Sequence, residues 1–209
     1  MPDPVAALLL DLDGTLVDSE GFHRQVFRTW FAARGWPAND TLLASFAGRR
    51  ADDIFATQPG PWDGEDIGSM MAELWELVAT LPRPALYPGA EDLLRTTSVP
   101  LALITSAPES WARTCLGDLL DRFAVVVTRD NVDRGKPDPE PYILGTRLLG
   151  ASPSACLAVE DAPAGVTSAV GAGIGLVVAI SGTVPDDQLT HAHLVVPDLL
   201  AVHTMLSPI

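Results

Sequence analysis

The feature that most constrains the fold is a run of aliphatic residues near the start of the chain, at positions 5–10, which ends at Asp11. An almost uninterrupted aliphatic strand is typical of a parallel sheet that is covered on both faces. Gly14 then gives the backbone the freedom to turn away just past the strand. We therefore expect Asp11 and Asp13 at the carboxyl edge of a sheet, where open α/β folds bind their ligands.

The part of the chain after residue 90 alternates short apolar runs with segments of helical spacing. This alternation indicates βαβ units and predicts a parallel sheet with right-handed crossovers. The predicted strands are residues 101–104, 124–127, 157–159, 176–180 and 194–196. Because the carboxyl ends of parallel strands meet at one edge, the polar residues that follow these runs should gather beside Asp11.

The segment between these two parts differs from both. Its apolar residues recur at helical spacing, and it holds four of the five tryptophans, which suits a small packed bundle. Its first helix should begin near Glu20, because Asp18 and Ser19 are good N-cap residues. The predicted fold class is α/β, with a Rossmann-like parallel sheet core and an inserted small α-helical cap domain. Residues 1–17 and 87–209 form the predicted core, and residues 18–86 form the cap.

The charge balance limits the partners of the protein. The chain carries 27 acidic and 13 basic residues, for a formal net charge of −14. This charge disfavours nucleic acid and anionic membranes, and it would also repel an anionic substrate at long range. Local positive charges or a metal must therefore hold any such substrate.

Cysteine usage and the absence of targeting signals point to an ordinary intracellular protein. Cys115 and Cys156 match neither a zinc spacing nor a disulfide framework, so we expect buried free thiols. No basic leader precedes the Leu-rich start, and no apolar stretch is long enough to span a bilayer. We expect a soluble, cytoplasmic protein, and nothing in the sequence demands more than a monomer.

Asp11 and Asp13 are the first candidate catalytic residues. One carboxylate can attack an electrophile while its neighbour transfers a proton. An Asp-Gly pair is also ordinary turn chemistry, so the pair gains weight only from the motifs that follow it.

Lys136 is the only lysine of the chain. Pro137 directly after it disfavours helical geometry at the lysine. A surface lysine usually serves only solubility. In this chain no other position holds lysine, so solubility is a weaker explanation for Lys136. A compact ammonium suits the binding of phosphate oxygens together with an ionised aspartate.

Two more polar pairs follow predicted strands. Thr105 and Ser106 offer hydroxyl and backbone N–H donors at a strand-to-helix turn, which suits an anion but also a simple helix cap. Glu160 and Asp161 precede a helix of small residues, where they could merely complement the helix dipole. Together with the first acidic pair, they provide the oxygen ligands that Mg²⁺ prefers.

These motifs, in this order, resemble those of the haloacid dehalogenase-like hydrolase superfamily, in its phosphatase and phosphomutase branch with a small helical cap. The resemblance covers nearly the whole chain. The four motifs are residues 11–15, 105–106, 136–137 and 160–166. The third and fourth motifs, with their flanking residues, look most like those of sugar- and polyol-phosphate phosphatases.

The resemblance implies a Mg²⁺-dependent phosphatase that acts on a small phosphorylated metabolite, a sugar or polyol phosphate, through an aspartyl phosphate. It implies that Asp11 attacks phosphorus. Asp13 would protonate the leaving alcohol and then activate water. Lys136 and Thr105 would neutralise and orient the transferring oxygens, with Ser106 beside them in the phosphate-binding motif.

The resemblance also implies a set of metal ligands. Asp11 and Asp161 would hold Mg²⁺ with their side chains, and Asp13 would bind it through its backbone carbonyl. Glu160 would act on the metal either directly or through another ligand.

Substrate specificity should come from the cap, where His23, Arg49 and Arg50 are candidate substrate- and phosphate-binding residues. Arg50 aligns with an arginine of polyol-phosphate phosphatases. The related β-phosphoglucomutases share the histidine, so a phosphosugar mutase stays an alternative, as does a phosphoglycolate phosphatase. The mutases pair the histidine with a cap lysine, however, and residues 18–86 contain none, which favours water as the final phosphoryl acceptor.

Overall fold

The computed structural model describes residues 5–46 and 51–206. The chain divides into two compact units. Met1–Asp18 and Ala85–Ile209 form the first, which we call the sheet unit, and Ser19–Pro84 form the second, which we call the helical unit.

The sheet unit is built on six parallel strands in the order β3-β2-β1-β4-β5-β6. The strands are β1 (Ala7–Leu10), β2 (Leu101–Ile104), β3 (Val125–Val127), β4 (Cys156–Glu160), β5 (Leu176–Ile180) and β6 (Leu194–Val196). The first strand is central, because Leu8 pairs with Leu101 on one side and with Leu157 on the other. The predicted α/β fold class with a parallel sheet is thus confirmed.

Helices connect these strands and make up the helical unit. In chain order they are α1 (Ser19–Ala33), α2 (Asp40–Ala44), α3 (Ala51–Thr57), α4 (Ile67–Thr80), α5 (Ala90–Thr96), α6 (Glu109–Leu116), α7 (Glu140–Leu149), α8 (Pro163–Gly171) and α9 (Leu199–Leu206). The first helix begins at Ser19, one residue before the predicted start.

The core of the sheet unit explains why the strands are so apolar. All four residues of β1 are buried. On one face of the sheet, Leu9 and Ile104 belong to a buried cluster that also includes Tyr142 of α7 and Val166 of α8. The cysteines are free and buried, as the sequence predicted.

The helical unit has a core of aromatic rings. Phe31 and Phe46 pack edge to face at 6.0 Å, and Trp62 lies 5.7 Å from Phe46. Such geometry is favourable for aromatic pairs. Trp75 shares the helical spacing of the apolar residues in α4, but it is 39% exposed. It lies one residue beyond Leu74, at the border of the buried stripe rather than within it.

Strand β4 differs from its prediction at both ends, since it begins at Cys156 and ends at Glu160. Glu160 is therefore the last residue of the strand, paired with Ala179, rather than the first residue after it. No helix within residues 5–46 and 51–206 is long and apolar enough to cross a membrane.

A close approach between two turns makes Gly175 sensitive to substitution. Its N–H donates to the carbonyl of Pro153 at 3.0 Å, and a Cβ at position 175 would overlap the backbone carbonyl of Ser154. We expect Gly175→Ala to lower the free energy of unfolding by about 1–3 kcal/mol, because backbone cannot move aside as a side-chain tip can. Urea denaturation measures this change.

Gly21→Ala is the matched control, because a Cβ at that position in α1 would meet no atom within 4 Å. The control should leave stability unchanged or raise it by up to about 1 kcal/mol, since alanine favours a helix over glycine. Equal effects of the two substitutions would contradict the steric argument.

Candidate active site

Asp11 lies directly after the central strand, at the carboxyl edge of the sheet. Its backbone N–H donates to the carbonyl of Val159 at 3.1 Å, which carries the parallel pairing with β4 one residue past the strand. Its side chain is buried. Side chains that gather at this edge of the sheet are therefore the ones that can reach it.

Lys136 joins three strand ends. Its Nζ atom donates to Oδ1 of Asp11 at 2.5 Å, to Oε1 of Glu160 at 2.6 Å and to the carbonyl of Ile104 at 2.8 Å. An ammonium has three donors, and all three are used. The side chain is only 7% exposed, so these charge-assisted bonds form away from water.

Glu160 is fixed by a second donor that the sequence analysis did not identify. The buried hydroxyl of Tyr142, on α7, donates to Oε1 of Glu160 at 2.6 Å. Gly165 makes room for this carboxylate, because a Cβ there would overlap it. Tyr142 has the helical spacing of an ordinary core residue, and nothing in the pattern signals its polar contact.

Asp161 is held against the turn that follows Asp11. Gly14 has a φ of +82°, and a Cβ at this position would overlap the Asp161 carboxylate, so both the turn and the close approach require glycine. The Thr15 hydroxyl donates to Oδ1 of Asp161 at 3.4 Å, and the Thr183 side chain is close enough to lower the pKa of this carboxyl, against the stronger effect of burial. Thr183 is a second residue that the sequence analysis missed, because it lies in a loop without periodicity.

Three buried carboxylates come together here. One oxygen from each of Asp11, Glu160 and Asp161 lies within 4.8 Å of the others. Within residues 5–46 and 51–206, the positive charge that bonds to these acids is that of Lys136. Oxygen ligands with surplus negative charge are the donor set that a hard divalent cation requires. The residues present therefore fit a divalent metal.

The pKa values of these side chains reflect the same surplus of negative charge. Burial raises the pKa of Asp11 well above its usual value, against the lowering effect of Lys136, and it raises the pKa of Asp161 to about 7. Burial alone would lower the pKa of Lys136, but the carboxylates of Asp11 and Glu160 outweigh it and raise that pKa. The lysine is thus charged, while the acids lack sufficient positive charge nearby.

Asp13 is partly buried and points its Oδ1 at a tryptophan. The Nε1 atom of Trp111, on α6, donates to Oδ1 of Asp13 at 2.9 Å. Trp111 is a third residue that the sequence did not reveal, because a lone tryptophan in a helical pattern resembles any core residue.

The predicted phosphate-binding pair lies at the end of β2. Thr105 is buried, and its hydroxyl accepts the N–H of Ala107 at 3.0 Å, so it shapes the turn after the strand. Ser106 is exposed. The helix that follows begins only at Glu109, three residues further on.

The predicted cap residues lie elsewhere in the chain. His23 is exposed on α1 in the helical unit, with its ring edge-on to Phe22 at 6.0 Å. Arg49 and Arg50 lie outside the described residues. Their predicted roles stay predictions.

A family model of the haloacid dehalogenase-like hydrolases matches residues 5–173. The chain belongs to this family. The resemblance seen in the four motifs is thus confirmed, and the protein is a haloacid dehalogenase-like hydrolase.

Two relatives that match over nearly their full length are named as phosphatases. The chain is 35% identical to validoxylamine A 7'-phosphate phosphatase of Streptomyces hygroscopicus subsp. limoneus, over 93% of this chain and 94% of the relative. It is 34% identical to hexitol phosphatase A of Escherichia coli, over 96% of this chain and 94% of that relative. The crystal structure of CbbY from Rhodobacter sphaeroides in complex with phosphate is 28% identical, with a TM-score of 0.76 over 93% of this chain and 94% of that one.

The raised pKa of Asp161 predicts a pH dependence of stability in the metal-free protein. Between about pH 4 and pH 7 the folded carboxyl keeps a proton that the unfolded carboxyl has released, so its contribution to the free energy of unfolding falls as pH rises. In EDTA, we expect the wild type to lose at least about 1 kcal/mol more than Asp161→Asn between pH 5 and pH 8. Urea denaturation at the two pH values measures this.

The asparagine variant is the control, because it keeps the shape of the side chain but cannot titrate. The same pH dependence in both proteins would show that Asp161 does not carry the effect.

Proposed function

We propose that this protein is a Mg²⁺-dependent phosphatase that hydrolyses a small sugar or polyol phosphate through an aspartyl phosphate on Asp11. The observation that carries the proposal is the Asp11 carboxylate, buried and bonded to the one lysine of the chain beside a cluster of acids. The phosphatase names of the two relatives, both 34% or more identical, support the same reaction class.

Asp11 is the proposed nucleophile. One of its carboxylate oxygens bonds to phosphorus as the bond from phosphorus to the ester oxygen breaks. Asp13 gives its proton to the departing oxygen, so that an alcohol and not an alkoxide leaves. Lys136 orients Asp11 and supplies positive charge where the transferred oxygens lie.

Water completes the reaction. Asp13, now ionised, takes a proton from water as the water oxygen bonds to phosphorus. The bond between phosphorus and Asp11 breaks, and inorganic phosphate leaves. Both residues return to their starting state, so the cycle needs no other reactant.

Asp11, Glu160 and Asp161 are the residues whose side chains would hold Mg²⁺. A bound Mg²⁺ would supply the charge that lets an anionic carboxylate approach an anionic phosphate. Oε1 of Glu160 already accepts hydrogen bonds from both Lys136 and Tyr142. We therefore assign direct coordination of the metal to Asp11 and Asp161. The predicted ligand role of the Asp13 backbone carbonyl belongs to the same proposal.

The helical unit is proposed to act as a cap that selects the substrate, with His23, Arg49 and Arg50 as its candidate contacts. A sugar or polyol phosphate is favoured because relatives of this size act, by name, on hexitol and validoxylamine phosphates. A cytoplasmic, monomeric enzyme remains the prediction from the sequence.

Phosphate release from a panel of sugar, polyol and glycolate phosphates tests this function. We expect release from a sugar or polyol phosphate with Mg²⁺ and its loss in EDTA, because the charge of Lys136 alone does not offset the three acids and an anionic phosphate. β-Glucose 1-phosphate, coupled to detection of glucose 6-phosphate, is included in the panel. Formation of glucose 6-phosphate without net phosphate release would contradict the phosphatase and favour the mutase.

Two substitutions separate the roles of the paired acids. Asp11→Asn should lower turnover at least about 1,000-fold, because it removes the nucleophile. Asp13→Asn should lower it at least about 100-fold, because only proton transfer is lost. With p-nitrophenyl phosphate, Asp13→Asn should still accumulate a phosphorylated protein that intact mass spectrometry detects, and Asp11→Asn should not.

Asp121→Asn, at an exposed acid in the same sheet unit, is the control and should match the wild type. Phosphorylation of the Asp11→Asn protein would exclude Asp11 as the nucleophile.

A further inference from the structure

We propose that Trp111 is a positioning residue that holds Asp13 and determines which of its carboxylate oxygens carries the transferred proton. This inference rests on the proposed function, because Asp13 transfers a proton only if the protein cleaves a phosphate ester.

The geometry fixes one oxygen of Asp13. The 2.9 Å distance from Nε1 of Trp111 to Oδ1 of Asp13 is that of an ordinary hydrogen bond. Trp111 is only 3% exposed, so the packing around α6 sets the position of its ring. Asp13 is partly exposed and follows the strand by three residues, directly before the turn at Gly14, and its short side chain has other rotamers available. The buried indole thus restrains the more exposed carboxylate.

The chemistry of the indole assigns the proton. The N–H of tryptophan only donates, so it can neither accept the proton nor pass one on in this reaction. Oδ1 accepts this bond best when it carries no proton itself, which leaves Oδ2 as the oxygen that holds the transferable one. Asp13 Oδ2 then protonates the leaving oxygen as its bond to phosphorus breaks. In the second half, Oδ2 takes the proton of the attacking water, and Nε1 keeps its own proton throughout.

Trp30 offers a matched comparison in the helical unit. Its Nε1 donates to Oε2 of Glu73 at 3.0 Å, and its ring is 4% exposed. The two tryptophans therefore share burial and bond type, but only Trp111 contacts an acid of the proposed mechanism.

Trp111→Phe tests the inference by comparing leaving groups. Its kcat/KM should fall by about tenfold or more for sorbitol 6-phosphate and glycerol 3-phosphate, whose alkoxides must be protonated to leave. For p-nitrophenyl phosphate the fall should stay below about threefold, because p-nitrophenolate departs without a proton. Loss of packing alone would lower both values equally. An equal loss, or no loss, would overturn the proposal.

Two other variants complete the experiment. Trp30→Phe should leave the ratio of alkyl to aryl kcat/KM unchanged, and a shift like that of Trp111→Phe would overturn the assignment to Asp13. If Asp13→Asn shows no preferential loss on alkyl phosphates, the acid role in the proposed function fails. If Asp13→Asn shows that loss and Trp111→Phe does not, only the positioning role fails.

A second substitution at position 111 keeps the test usable if the first variant does not fold. If Trp111→Phe does not fold, benzothienylalanine is incorporated at position 111, which keeps the fused rings and replaces N–H by sulfur. The same alkyl-specific loss is expected, and its absence overturns the proposal.

Discussion

The contact on which the rest of the site depends is the one between Lys136 and its three acceptors. It joins Asp11, Ile104 and Glu160, which follow or end three neighbouring strands of the sheet. A buried ammonium is stable only when nearby anions offset the loss of hydration, and buried carboxylates have the converse requirement. The ammonium of Lys136 therefore makes the burial of the carboxylates possible, and the carboxylates do the same for the ammonium. The sheet holds these groups at the distance that the contact requires.

The same contact leaves the site with too little positive charge. One lysine faces three acids, and the raised pKa values of Asp11 and Asp161 reflect the negative charge that the lysine does not offset. A phosphate ester would add more negative charge to this edge of the sheet. The chain as a whole is also strongly acidic, so attraction at long range does not help. Capture of such a substrate must therefore depend on interactions at short range.

Much of this arrangement could be predicted because it follows from strand ends. The position of Asp11 follows from an aliphatic run and a glycine, and Lys136 is conspicuous as the only lysine. Tyr142 and Trp111 could not be predicted in the same way. Their rings satisfy the apolar spacing of a helix, and the pattern carries no information about the one polar atom that each ring presents. Thr183 lies after β5 in a loop whose course depends on tertiary packing alone.

The solitary lysine also makes the site unusually easy to observe. Lysine labelled with ¹⁵N only at Nζ would give a single ammonium signal in an NMR spectrum, and that signal comes from Lys136 beside Asp11 and Glu160. Its chemical shift would report directly on what surrounds the ammonium, with no overlap from surface residues and no need for an introduced probe. Because the chain has no other lysine, Lys136 can serve as a spectroscopic reporter of the site.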